Sequence, residues 1–484
     1  MYFVFNEMKL KMKKLLFLSI IFLSLVFLIS CLNTPKPQTA KKAKYVFLFI
    51  GDGMGYSHIA LTEAYLANLE DEIGVKKLVM SEFPVHGVCN TFCETRQITG
   101  SAAAGTAIAT GNKTGVSIIS KSSDKSVDYK SLAYSLKESG YKIGIISNVA
   151  INHATPASFY ANADRRSMYY EIGVQLANSG FDFFGGGGFK YPEGRNADME
   201  NLYDFTEKNG YNIYRDINDL DKAKCEIPCM CVNPTILDEA EMPFAIDPNY
   251  KKSIPLADFL EEAIDLLENK DGFFIMLEGG KIDWAAHSND AAGIIHEMLE
   301  FDKAIAKAFE FYLLHPEETL IIVTSDHETG GLALGNAVNE YQTDFKFLQN
   351  QKYSQAYIEK EIAKSMLINR EFQELLTLID TLCFNNSISF TEEEIGKLKL
   401  AYDYTISGIS HYNPNELYEI YGGYHAIVSA VINIINTRAG IGFTTWSHTA
   451  SPVPVISIGT GSELFDNYFD NTEISSKIWD AMGM

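Results

Sequence analysis

Apolar and polar positions along this chain of 484 residues fall into short buried runs separated by amphipathic stretches. Lys44 to Ile50 is mostly apolar and closes on Gly51-Asp52-Gly53-Met54-Gly55; a helical pattern follows from His58 to Ala67. Such a sequence predicts a buried strand, a tight glycine turn and a helix. The rhythm returns three times. Ser131 to Glu138 is helical and Lys142 to Ser147 a strand; Leu256 to Leu267 is helical and Gly272 to Leu277 a strand; Ala291 to Leu314 is helical and Thr319 to Thr324 a strand. Alternation of this kind predicts an α/β fold, a three-layer sandwich whose central sheet is mostly parallel with helices on both faces. Ligands then bind at the carboxyl ends of the strands.

The rhythm breaks between Leu332 and Thr445. Charged helical segments from Lys352 to Cys383 and from Glu392 to Tyr402 predict a helical insertion carried on the core. Val453 to Ile458 returns as a strand and Ile474 to Met482 as a final helix. The expected organisation is a signal segment (1–30), a tether (31–43), core (44–331), insertion (332–445) and the C-terminal part of the core (446–484). No internal repeat is visible. Gly185 to Gly188 lacks a following Lys-Ser/Thr and reads as a flexible turn rather than a phosphate loop.

The N-terminus carries an address. Lys9, Lys11, Lys13 and Lys14 precede an apolar run from Leu15 to Ile29, ending in Leu28-Ile29-Ser30-Cys31. A basic start, a short apolar stretch and a small residue before the cut describe a secretory signal. The cysteine directly after it resembles a bacterial lipoprotein signal, with Cys31 as the lipidated first residue; an uncleaved anchor is the alternative. Either way the protein is expected outside the cytoplasm, periplasmic or at the cell surface. Cys89 with Cys93, and Cys225 with Cys229 and Cys231, are close enough in sequence for local disulfides, and neither cluster has paired C-x-x-C spacing for a metal.

Composition narrows the partners. The chain is 46% hydrophobic and 21% charged, ordinary for a globular protein, and its formal charge of −22 argues against nucleic acid. It does not exclude a phosphate substrate, because divalent cations in a pocket can reverse the local field.

The candidate chemistry is spread along the chain. Ser101 enters a run of Ala, Gly and Thr that packing alone explains poorly. Asp52, Glu278 and Asp326 each follow or end a predicted strand. Asp326 and His327 are adjacent and so share one pocket only where the strand has ended. Asp283 and His287 share a face if their segment is helical. His448 would complete a second set. Aspartates with histidines at strand ends suit zinc.

Taken in order, Ile50-Gly-Asp52-Gly-Met-Gly55, the Ser101 motif, His153-Ala-Thr155-Pro-Ala157, Leu277-Glu278-Gly-Gly-Lys-Ile-Asp283-Trp-Ala-Ala-His287, Thr324-Ser-Asp326-His327-Glu-Thr-Gly-Gly331 and Trp446-Ser-His448-Thr resemble the successive motifs of the alkaline phosphatase family. The resemblance implies a phosphomonoesterase with Ser101 as nucleophile and a phosphoserine intermediate. It implies one zinc on Asp283, His287 and His448, another on Asp52, Asp326 and His327, and a third cation, usually magnesium, on Asp52, Thr155 and Glu278. Arg166 matches the phosphate-clamping arginine, with Arg165 the alternative for a one-residue slip. A homodimer and small phosphate monoesters as substrates are also implied.

Three departures stand out. Gly100 replaces the Asp that many members carry beside the nucleophile, which leaves Arg166 without its usual carboxylate and predicts a more mobile guanidinium. His153 and Trp284 occupy variable positions around the third cation, so its identity stays open. Rival readings are a phosphodiesterase of the same superfamily and a non-catalytic phosphate-binding lipoprotein; a sulfatase would need a C/S-x-P-x-R motif that Ser101-Ala-Ala-Ala-Gly lacks.

Overall fold

A computed structural model of the protein describes Met8, Lys14 and residues 41–484 apart from 216–225, 367–370, 385–388 and 408–412. Apart from Met8 and Lys14, the expected signal segment lies outside the described residues, as do Cys31 and Cys225. Among those described, no helix is long and apolar enough to cross a membrane.

The strands are β1 Tyr45–Ile50, β2 Val85–Asn90, β3 Lys142–Ser147, β4 Phe183–Gly186, β5 Asn212–Tyr214, β6 Cys229–Val232, β7 Phe273–Glu278, β8 Thr319–Thr324, β9 Glu328–Thr329, β10 His448–Thr449, β11 Val453–Gly459 and β12 Asn467–Asp470. Ten of them form one sheet in the order β12-β2-β11-β8-β1-β7-β3-β4-β6-β5. From β8 to β5 every pairing is parallel. β11 runs antiparallel to both β8 and β2, so one edge departs from the predicted pattern.

β1 shows why the sheet sits in the middle. Its side chains alternate between two apolar clusters: Val46, Leu48 and Ile50 enter one, Tyr45, Phe47 and Phe49 the other. A strand buried on both faces needs helices on both sides. The Leu256–Leu267 and Ala291–Leu314 helices cover the second face; those at Ser101–Thr110, Leu132–Glu138, Ala154–Tyr160 and Glu473–Ala481 cover the first. Each fully buried Phe contributes roughly 1.5–3 kcal/mol of apolar transfer.

Two sequence expectations are corrected here. Gly185 and Gly186 are not a flexible turn; they belong to β4, paired with Ile146 and Ser147 of β3. At Gly186, φ is +117° and a Cβ would lie 1.9 Å from the Ser147 carbonyl, so only glycine lets the strands approach. Cys89 and Cys93 are buried free thiols rather than a local pair. Cys89 sits in the β2 ladder opposite Val453, while the Cys93 thiol is spent on the Arg96 carbonyl at 3.5 Å.

The described residues of 332–445 form a helical layer with its own apolar cluster, which includes Ile358, Ile362, Leu375, Val431 and Ile435 and also takes in Leu61, Tyr65, Ala291 and Ile295 of core helices. At its base, β9 and β10 pair antiparallel, His448 against Thr329. Lys42–Met484 is one compact unit.

Candidate metal centre and nucleophile

The register of the central strands brings the scattered motifs to one sheet edge. Ile50 is level with both Glu278 and Thr324, and Ser147 is level with Glu278. Asp52 therefore leaves β1 beside the end of β7, and Asp326 and His327 follow the end of β8. Asp283 and His287 lie on the short Lys281–His287 helix that starts just after β7. All of Asp52, Glu278, Asp326 and His327 are 0% exposed.

Ser101 opens the ten-residue Ser101–Thr110 helix behind Gly100. Its Oγ is 3.4 Å from His327 Nε2 and accepts from Arg166 Nη1 at 3.5 Å. Arg165 is exposed, whereas Arg166 is partly buried against the nucleophile, so the side-chain geometry favours Arg166 over its neighbour. The Ala/Gly run after Ser101 does have a packing role: a Cβ on Gly105 would lie 2.7 Å from Ser158 Oγ and 3.6 Å from Thr155 Cα, so glycine lets this helix pack closely on the Ala154–Tyr160 helix.

The histidines share one tautomeric logic. His287 Nδ1 donates to the Trp446 carbonyl at 2.7 Å, and His448 Nδ1 donates to the Thr99 carbonyl at 2.8 Å. Thr329 Oγ1 gives its proton to Asp283 Oδ1 at 2.6 Å and so can only accept from His327 Nδ1, at 3.3 Å. With each Nδ1 carrying the proton, each Nε2 is a bare lone pair. Those lone pairs face other lone pairs. His287 Nε2 and His448 Nε2 are 3.0 Å apart, and they lie 3.4 and 3.7 Å from Asp283 Oδ1. His327 Nε2 is 3.2 Å from Asp326 Oδ2 and 3.5 Å from Asp52 Oδ1.

Such an arrangement is repulsive unless cations, or protons in their place, occupy the points of convergence. Both oxygens of Asp52, Asp326 Oδ2, Glu278 Oε1 and Thr155 Oγ1 are buried without hydrogen-bond partners. Three groups bring ligand atoms within 4.8 Å of one another: Asp283-His327-His448, Asp52-Asp326-His327 and Asp52-His153-Glu278. Oxygen and imidazole donors of this kind suit zinc, and an oxygen-rich pocket suits magnesium. The residues fit the metals that the resemblance implies.

Electrostatics agree. Burial holds the carboxyl of Asp52 well above its ordinary range, and Asp326 adds to the effect. Glu278 is pushed up to about 7 by burial, although Ser147 donates to its Oε2 and pulls the other way. Asp326 rises to about 7 through burial and then Asp283. Crowded buried carboxylates keep protons that a cation would displace.

His153 differs from expectation in its reach and in its partner. Arg166 Nη2 donates to its Nε2 at 2.8 Å, so the guanidinium has an imidazole partner where the usual carboxylate is missing. A guanidinium only donates, which leaves the His153 proton on Nδ1, buried and without a partner. In that tautomer Nδ1 offers no lone pair to a metal.

Beyond the stations lies a chamber of about 370 Å³ lined by Ser101, His153, Arg166, Asp283, Trp284, His287 and His448, but also by Phe244, Ser288, Gln355, Ala356 and Tyr424. The last five escaped the sequence analysis. Phe244 comes from a loop and Gln355 and Ala356 from the insertion, and no local pattern marks them. Lys281 was missed too: fully buried, it donates to the Met242 carbonyl at 2.8 Å with its ammonium 3.5 Å from the centroid of the Phe244 ring and 5.4 Å from that of Trp284.

A family model described as alkaline phosphatase matches residues 43–484. The chain belongs to the alkaline phosphatase family. It is a family of metal-dependent phosphomonoester hydrolases. Alkaline phosphatase 3 of Bacillus subtilis is 31% identical over 452 residues, covering 91% of this chain and 89% of the relative. The alkaline phosphatase of Schizosaccharomyces pombe is 28% identical, covering 90% of this chain and 80% of its own length. Among solved structures, the cold-active enzyme from a Shewanella species has a TM-score of 0.75 at 28% identity, covering 90% of this chain and 99% of that one. The Thermus thermophilus enzyme, at 23% identity and a TM-score of 0.76 over 93% of this chain and 94% of its own, shares the fold. A variant of the alkaline phosphatase from the Antarctic bacterium TAB5, 26% identical with a TM-score of 0.64 over 92% of this chain and 99% of that one, has magnesium bound in its M3 site.

Proposed function

We propose that this protein is an alkaline phosphatase that hydrolyses small phosphate monoesters through a phosphoserine on Ser101, using two zinc ions and a third divalent cation. The observation that carries the reading is the convergence of three bare histidine Nε2 atoms and unpartnered buried carboxylate oxygens beside Ser101 Oγ. In this reading Asp283, His287 and His448 hold one zinc, and Asp52, Asp326 and His327 the other. Asp52, Thr155 and Glu278 hold the third, magnesium by analogy with the M3 site of the TAB5 variant, with His153 and Trp284 at its margin.

Cations held there supply Lewis acidity, lowering the pKa of a hydroxyl or water and offsetting phosphate charge. The chain's own groups do the rest. Ser101 Oγ loses its proton and attacks phosphorus; the ester oxygen departs on the opposite side with the bonding pair and is protonated as the alcohol. Water then displaces serine from phosphorus, releasing inorganic phosphate and restoring the hydroxyl. The N-terminus of the Ser101 helix favours the anion, and the planar fork of Arg166 can grip two phosphate oxygens.

Phosphate release from an aryl phosphate at alkaline pH tests the reading. Loss on chelation, recovery with zinc and magnesium, and collapse in Ser101→Ala are expected. A folded, metal-loaded protein inert on monoesters but active on diesters would overturn it.

The basic and apolar N-terminal pattern ahead of Cys31 supports export and lipid attachment. Labelled fatty acid should enter the wild-type chain and not Cys31→Ser.

A further inference from the structure

The phosphate end of the chamber is accounted for by Ser101, Arg166 and the aspartate and histidine set. What remains for the alcohol portion of a substrate is Phe244, Trp284, Ser288, Gln355, Ala356 and Tyr424. None of these six bears a charge, and three are aromatic. A substrate carrying a second phosphate or a carboxylate finds no further cation among the lining residues, inside a protein whose net charge is −22. A neutral planar ring finds three aromatic side chains.

Those rings are held in place. The buried Lys281 ammonium contacts the face of Phe244 and is also near Trp284, fixing two rings from one point. It is itself tied to the Met242 carbonyl, two residues from Phe244. The ring of Tyr424 lies 5.9 Å from that of Trp446, whose carbonyl takes the His287 proton. The aromatic lining is thus anchored to the elements that orient the metal-centre histidines. A lining fixed before the ligand arrives loses little entropy on stacking.

We propose that this chamber selects phosphate monoesters whose alcohol carries a neutral planar ring system, a nucleobase or an aryl group, over aliphatic and multiply charged ones. The proposal rests on the phosphomonoesterase reading and names its substrate class.

Matched pairs test it without confounding leaving-group chemistry. Adenosine monophosphate and ribose phosphate, both esterified at the primary hydroxyl, release the same kind of alkoxide and differ in the base. Phenylethyl and cyclohexylethyl phosphate do the same for an aryl group. In the metal-loaded wild type, kcat/KM should favour at least one planar member by about tenfold, as stacking on aromatic side chains gives. That ratio should fall below about threefold in Phe244→Leu and in Tyr424→Leu, which keep apolar bulk and remove the ring face, whatever their absolute rates. Preference in the first pair alone identifies the nucleobase, in the second alone the aryl group. Ratios near one in both wild-type pairs, or ratios unchanged in both variants, overturn the proposal while leaving the phosphatase reading intact. If no monoester is turned over, that reading fails; calorimetric affinities of the same pairs then decide the chamber's preference, and equal affinities overturn it.

Discussion

His287 and His448, separated by 161 positions in sequence, meet Nε2 to Nε2 at 3.0 Å while their Nδ1 atoms are each held by a backbone carbonyl. Neither can hydrogen-bond to the other in that tautomer. The pair is organised for something positive between them; Asp283, the carboxylate beside both, is lowered to about 2 and already ionised, whereas Glu278 and Asp326 must give up protons when cations arrive.

That gives a first prediction. In the metal-stripped protein, Glu278 and Asp326 keep protons up to about pH 7. Zinc or magnesium loading near neutral pH should therefore release at least about one proton, with Asp52 adding to it, more at about pH 6 and less at about pH 8, and affinity should rise with pH across that interval. Calorimetry in buffers of different ionisation enthalpy measures the release. Loading without proton release would place the metals elsewhere.

The insertion is fastened to the core by Asp247. Its two oxygens take the Ser354 backbone N–H and hydroxyl, both at 2.7 Å, at the start of the helix that brings Gln355 and Ala356 to the chamber. Ser354→Ala removes one charge-assisted bond and leaves a buried carboxylate oxygen short of a donor, a cost of about 1–3 kcal/mol. Hydrogen exchange should quicken first in residues 355–366, and KM should rise before the melting temperature falls appreciably. A uniform loss of protection across the sheet would contradict this.

Gly186 and Gly140 separate crowding from conformation. Both have positive φ, +117° and +95°; a Cβ on Gly186 collides with Ser147 O, and one on Gly140 meets nothing within 4 Å. Gly140→Ala should cost about 1 kcal/mol, and Gly186→Ala at least about 3 kcal/mol as the β3–β4 ladder is forced apart. Denaturant midpoints of the two variants provide the comparison.

Much of the fold was legible because buried strands and amphipathic helices have different periods. The Leu256–Leu267 and Ala291–Leu314 helices lie where the apolar pattern put them. β2 did not announce itself, since Val85–Asn90 is only half buried and runs at an antiparallel edge, and β4 was hidden by glycines whose reason is a contact with another strand. The candidate metal stations could be picked out because each sits in a short motif, with Asp52, Glu278 and Asp326 at or just after strand ends. The chamber wall was not, because Phe244, Gln355 and Tyr424 come together only through tertiary packing. Nor could Gly100 show that the arginine finds a partner in His153, 13 positions before it.

Acid should weaken the fold through buried histidines. Burial lowers His296 to about 4 from its ordinary 6.5, so the unfolded chain binds a proton that the folded one refuses. Stability from this site is complete above about pH 6.5 and is lost as pH falls toward 4, by up to about 3 kcal/mol. His296→Gln should flatten the slope of unfolding free energy between those values, measured by urea titration. An unchanged slope would mean that His296 takes up its proton without unfolding.

The β9–β10 clasp has a consequence for a chain made from its N-terminus. Asp52, Ser101, Asp283 and His327 all emerge before the helical layer, but His448 arrives only after it, on a strand that pairs back to Thr329. A ribosome-bound chain can lay down most of the parallel sheet and still lack the residue that faces His287. Synthesis itself thus withholds the finished centre, and a truncated product that folds would remain an incomplete chelator rather than an unregulated hydrolase.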